Sequence, residues 1–83
     1  MKPGSIQDRY YLRFKGLRVL IISSGMSDKR YVKHLAWVES IIAHIEYFDE
    51  FDESTLHKSV LKKANEFHKE YTALIKEQQN NPS

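Results

Sequence analysis

The stretch SDKRYVKHLAWVESIIAHIEYFDEF, residues 27–51, decides the fold. Within it Val32, Leu35, Val38, Ile42 and Ile45 recur at steps of three and four, and at about 100° per residue that spacing gathers them on one face of a helix. Trp37, Ile41 and Phe48 form a second apolar strip beside the first. A helix that is apolar around roughly half its circumference needs cover from more than one side, so the two flanking segments are expected to pack on it. Ser27 is placed to cap its start, with Asp28 in the first turn, where the helix dipole favours a negative charge. No Gly or Pro marks its end, and the helix is predicted to run through 51, with a short break near 51–54.

Upstream, Ser5-Ile6-Gln7-Asp8 has the spacing of a capping box, in which the Ser hydroxyl accepts from the amide three residues on and the carboxylate reaches back. The first helix is predicted over 5–24. Its main face carries Ile6, Tyr10, Phe14, Leu17, Leu20 and Ile21, and Gly25 supplies a left-handed stop. The competing reading is an N-terminal β-hairpin pivoting at Gly16 and followed by two helices, because Tyr10-Tyr11-Leu12 and Val19-Leu20-Ile21-Ile22 are rich in strand formers and a helix-interior Gly costs about 1 kcal/mol. If the segment is a helix, Tyr11, Leu12, Val19 and Ile22 lie off its main face and call for a third helix or a second subunit.

Downstream, Leu56, Val60, Phe67, Tyr71 and Leu74 share one stripe, with Ala64 and Ile75 at its edge and Lys58, Lys62, Asn65, Lys69 and Lys76 opposite. A one-sided helix over 53–78 follows, capped by Asp52 or Ser54, with a frayed polar tail at 79–83. The fold expected is all-α: a small antiparallel three-helix bundle, one domain spanning 1–83.

Composition agrees with a helical domain and narrows its setting. The chain of 83 residues holds 41% apolar residues, only three Gly and two Pro, and no Cys. That leaves room for one small core and excludes a disulfide framework, a thiolate nucleophile and a Cys-based zinc site. A cytoplasmic location is the expectation. Met1-Lys2-Pro3-Gly4-Ser5 lacks the apolar run of a signal peptide, and the longest apolar run, Val19 to Ile22, is far short of the ~20 residues of a membrane span.

Charge is segregated although the net charge is only +2. Through Val38 there are eight basic residues against two acidic; from Glu39 to His57 there are six acidic residues and no Lys or Arg. Two binding readings follow. In the first, the protein is a non-enzymatic interaction module, a small regulator or inhibitor that docks on a larger protein. Trp37, Tyr47, Phe48 and Phe51 would be its aromatic anchors, and Asp49 and Glu50 its steering charges. In the alternative, Arg9, Arg13 and Arg18 of the first helix join Lys29, Arg30 and Lys33 of the second to hold nucleic-acid phosphates. Surplus apolar surface on the first two helices points to a dimer or another protein partner.

Catalysis and cofactors find no support. His57 and His68 are separated by about 16 Å along a helix, too far to share an ion, and His34 is expected to be a partly buried, hydrogen-bonded histidine. No nucleophile elbow or phosphate loop is present. The serines read as helix caps, and neither an enzyme nor a cofactor is expected.

Overall fold

The computed structural model describes residues 2–25 and 27–79. It contains three helices, α1 (Ile6–Ser23), α2 (Lys29–Glu46) and α3 (Lys58–Gln79), and no strand among the described residues. Helix makes up 75% of them, so the hairpin alternative for 10–22 is overturned. Of the predicted tail, Gln79 is still helical and 80–83 lie outside the described residues.

Local chemistry explains each helix start. Ser5 Oγ accepts from the Asp8 amide at 3.1 Å, and Asp8 Oδ2 accepts at 3.0 Å from the Gly4 amide, one residue further back than a capping box requires. Asp28, not Ser27, caps α2: its Oδ1 takes the Tyr31 amide at 3.1 Å, which moves the helix start two residues along from the expected 27. Neither Asp52 nor Ser54 caps α3. Asp52 is committed to a turn, accepting from the Ser54 amide and hydroxyl while Thr55 Oγ1 accepts from the Asp52 amide. The chain then buries Leu56, and His57 caps α3, its Nδ1 accepting the Ser59 amide at 3.1 Å.

The end of α2 differs most from expectation. The helix stops at Glu46 rather than continuing to 51. A continued helix would bring Asp49 onto the stripe of Val38, Ile42 and Ile45 and carry Phe51 away from it. Stopping early leaves Asp49 in water and lets Phe51 fold back onto Tyr10, with ring centroids 5.6 Å apart. Gln7 holds the stop in place, its Nε2 donating to Ile45 O at 2.7 Å and Phe48 O at 2.9 Å.

The helices run up, down, up. Gln7 meets the end of α2 and Arg18 meets Glu39, so α1 and α2 are antiparallel; Arg13 meets Asn65 and Gln78 meets Ser24, so α3 runs parallel to α1. The core comprises Phe14, Leu17 and Ile21 of α1, Val38, Ile42 and Ile45 of α2, and Leu56 with Ala64, Phe67 and Tyr71 of the third segment. The central element is α1, not α2. Both other helices pack on α1, whereas among the described residues no Cα of α2 comes within 8 Å of one in α3. Rings fill the gap between those two. His34 stacks on Phe67 at 4.1 Å and Trp37 meets the same ring edge-on at 5.4 Å. Residues this large hold two backbones apart while still excluding water between them.

Candidate functional site

The end of the bundle where α1 starts and α2 stops carries the aromatic and acidic corner. Phe51 is half-buried against Tyr10 and meets the edge of Phe48 at 6.3 Å, so it closes the core rather than offering an anchor. Phe48 rests on His44 at 5.0 Å and remains 38% exposed, and Tyr47 is 81% exposed. Glu46, Asp49, Glu50 and Glu53 surround them, all exposed. Asp52 is occupied within its own turn; the hydroxyl and amide of Ser54 hold its carboxyl below the usual carboxylate range. The corner therefore offers two aromatic side chains and four unspent carboxylates on one short piece of chain.

Trp37 does not belong to that corner. Its ring lies between Phe14, at 6.2 Å, and Phe67, and Lys63 Nζ sits 4.8 Å from its centroid. It is a half-buried part of the core, capped by a cation.

The six basic residues of the alternative reading are dispersed. Arg9 is exposed at the start of α1, whereas Lys29, Arg30 and Lys33 lie beside its end, about 20 Å away along the axis at 1.5 Å per residue. Arg18 turns toward α2, with Nε 3.5 Å from Glu39 Oε1. Arg13 turns the other way and donates to Asn65 Oδ1 on α3. Arg30 pairs with Asp28 at 3.3 Å; that carboxyl is held below the usual range by the Tyr31 amide, with help from Arg30. What remains as a cluster is Lys29, Arg30 and Lys33 at one helix start.

His34 is half-buried, its Nδ1 2.9 Å from the Tyr71 hydroxyl. Burial pushes the Tyr71 phenol up from its ordinary value. Among the described residues, no three His, Asp or Glu side chains converge in a way that could hold a metal ion. No helix of the described residues is long and apolar enough to cross a membrane.

One concavity was not anticipated from the sequence. It is a groove of about 470 Å³ between α1 and α3, with Leu12, Gly16, Leu17 and Leu20 on one wall and Ala64 and Asn65 on the other. Its signal in the sequence was the apolar surplus on α1. Leu12 and Val19 are 60% and 62% exposed, and Ile22 is also exposed. In the sequence Gly16 reads only as a cost to helix formation and the pivot of the competing hairpin. No protein-family model, curated protein or solved structure matches this chain.

Proposed function

We propose that this protein is a non-enzymatic interaction module, a small regulator or inhibitor that docks its aromatic and acidic corner on a larger protein. The observation that carries the proposal is the exposure of Tyr47 and Phe48 immediately beyond the last turn of α2, amid Glu46, Asp49, Glu50 and Glu53. Apolar side chains left in water beside unpaired charge are the composition of an interface that combines a buried anchor with electrostatic steering. Tyr47 can bury its ring and still keep a hydroxyl for a hydrogen bond at the rim. The partner would present a basic, partly apolar depression. A reducing, cytoplasmic setting fits a chain without Cys.

The test places a photo-crosslinking amino acid at Tyr47, and separately at Val32, which is exposed at the opposite end of α2, in cells that make the protein. A discrete larger adduct is expected from position 47, absent from position 32 and lost when Asp49→Lys and Glu50→Lys are added. No adduct at 47, or one indifferent to the charge reversals, would remove the proposal.

A further inference from the structure

The groove between α1 and α3 is a second, separate surface, with the opposite electrostatic character. On its floor and lip, Leu12, Leu17, Leu20 and Ala64 surround Gly16, and a Cβ built at Gly16 meets nothing within 4 Å. α1 is apolar on almost every side, through Tyr11, Leu12, Phe14, Leu17, Val19, Leu20, Ile21 and Ile22, yet only two helices cover it. A helix of that composition is ordinarily enclosed. Part of the apolar surface of α1, at Leu12, Val19 and Ile22, is left exposed.

Charge selects what can cover it. Arg9 and Arg13 lie one turn apart on the α1 side, and Lys62 and Lys69 flank Asn65 at steps of three and four on the α3 side, all exposed. The acids of α3, Glu66, Glu70 and Glu77, are turned about 100–140° away from Asn65 around the helix, and Asp8 spends its carboxylate on the Gly4 amide. Glu53 reaches this face in a small cleft shared with Arg9 and Arg13, but no ion pair joins it to them among the described residues. Like Asp8, Arg13 is held, by Asn65, and neither bond removes a charge; four cations against the two carboxylates of Asp8 and Glu53 still leave the rim net positive. A second copy brought against this face about a two-fold axis would set cationic rim on cationic rim. A nucleic acid would leave the apolar floor unfilled.

We infer that the groove between α1 and α3 seats an amphipathic helix of a partner protein, its apolar stripe on Leu12, Gly16 and Leu20 and its flanking Asp and Glu residues against Arg9, Arg13, Lys62 and Lys69. The absent side chain at Gly16 lets the incoming backbone approach closely, as small residues do wherever helices cross tightly. This surface does not depend on the corner at Tyr47 and Phe48.

A displayed library of helical peptides tests the assignment, each with an apolar stripe of Leu and Ala and flanks randomised among Glu, Lys, Gln and Ser. Selection on the full protein is expected to enrich acidic flanks. Binding of the enriched peptides should weaken at least about tenfold, or 1.4 kcal/mol, on Gly16→Phe, which fills an open position on a folded helix. It should weaken similarly on the paired reversal Arg9→Glu and Lys69→Glu, and be unchanged by Tyr47→Ala. Enrichment of basic or neutral flanks, equal binding to the Gly16→Phe protein, or no enrichment would overturn the inference. Two further outcomes would also overturn it by assigning the face elsewhere: a dimer in light scattering that Gly16→Phe dissociates, or displacement of the peptides by duplex DNA at equal charge.

Discussion

Replacing Gly16 with Ala should stabilise the protein, and the same replacement at Gly25 should destabilise it. Gly16 lies in the interior of α1, with an ordinary helical backbone and no atom within 4 Å of where its Cβ would stand. Nothing opposes the intrinsic preference of a helix for Ala over Gly, about 0.8–1.0 kcal/mol. Gly25 follows the last turn of α1 at φ +69°, where its amide donates to Ile22 O at 3.3 Å. An L side chain in that left-handed conformation costs about 1–2 kcal/mol. The two variants should therefore differ by about 2–3 kcal/mol, the sum of those opposed terms. For a domain of this length each 1 kcal/mol moves the melting temperature by about 4–8 °C, so Gly16→Ala should melt several degrees above the parent and Gly25→Ala several below. Thermal melts followed by far-ultraviolet circular dichroism at fixed protein concentration would measure both. A Gly16→Ala protein no more stable than its parent would refute the reasoning, because it would mean that position 16 is not open, or not helical, in solution.

Three other perturbations probe the remaining contacts. Tyr71→Phe removes the hydroxyl bonded to His34 and should cost about 1 kcal/mol in urea unfolding. The folded protein holds the Tyr71 proton at pH values where the unfolded chain has lost it, so the stability from this group is full below the ordinary phenol pKa of about 10 and declines as pH rises through the folded value. The variant should lack that alkaline decline. Asp28→Asn keeps an N-cap but cannot ionise. Since the Asp28 carboxyl lies below its ordinary value in the folded state, its contribution is present above the unfolded pKa and lost as pH falls through the folded one; the variant should show a shallower acid limb in the same titration, and an unchanged limb would deny the cap its role. Gln7→Ala removes the side-chain bonds to Ile45 O and Phe48 O and should cost about 1 kcal/mol, with the loss of amide protection concentrated at 45–48 in hydrogen exchange.

Much of the fold was legible because periodicity reports burial directly. The spacing of Phe14, Leu17 and Ile21, of Val38, Ile42 and Ile45, and of Phe67 and Tyr71 placed each of them on the face that is buried. Of the caps, Ser5 was legible in place, Asp28 only in kind, since Ser27 and Asp28 are both acceptable and only the chain path chooses Asp28, and His57 not at all. The choice of α1 over α2 as the central element was not legible. Both are apolar on more than one side, and which becomes the centre depends on where the 47–57 segment returns the chain. The two glutamines were invisible for a different reason: Gln7 and Gln78 look like ordinary surface residues until a neighbouring helix end places a backbone carbonyl within reach. Of the corner, the composition of 46–53 was evident, but not the division of labour by which Phe51 turns inward while Tyr47 and Phe48 stay out. Trp37 was ambiguous, because a lone Trp suits a core and an interface equally, and the structure leaves it half-buried beside Phe14 and Phe67.

The separation of α2 from α3 has a kinetic consequence. Side-chain contacts alone join the two, through His34 and Trp37 on Phe67 and through the Tyr71 hydroxyl, so α3 can leave by giving up those contacts while α1 and α2 stay packed backbone to backbone. The hairpin of α1 and α2 closes through a turn of a few residues, whereas α3 must return across the whole 47–57 segment, a more demanding loop to close. Assembly should then run in two steps, hairpin first and third helix last, and opening should reverse that order. Amides of α3 would exchange with solvent through a partial opening that leaves α1 and α2 paired. In that state Phe14, Leu17 and Ile21 face water along the side α3 has vacated, and the molecule briefly displays a far larger apolar trough than the one it shows at rest.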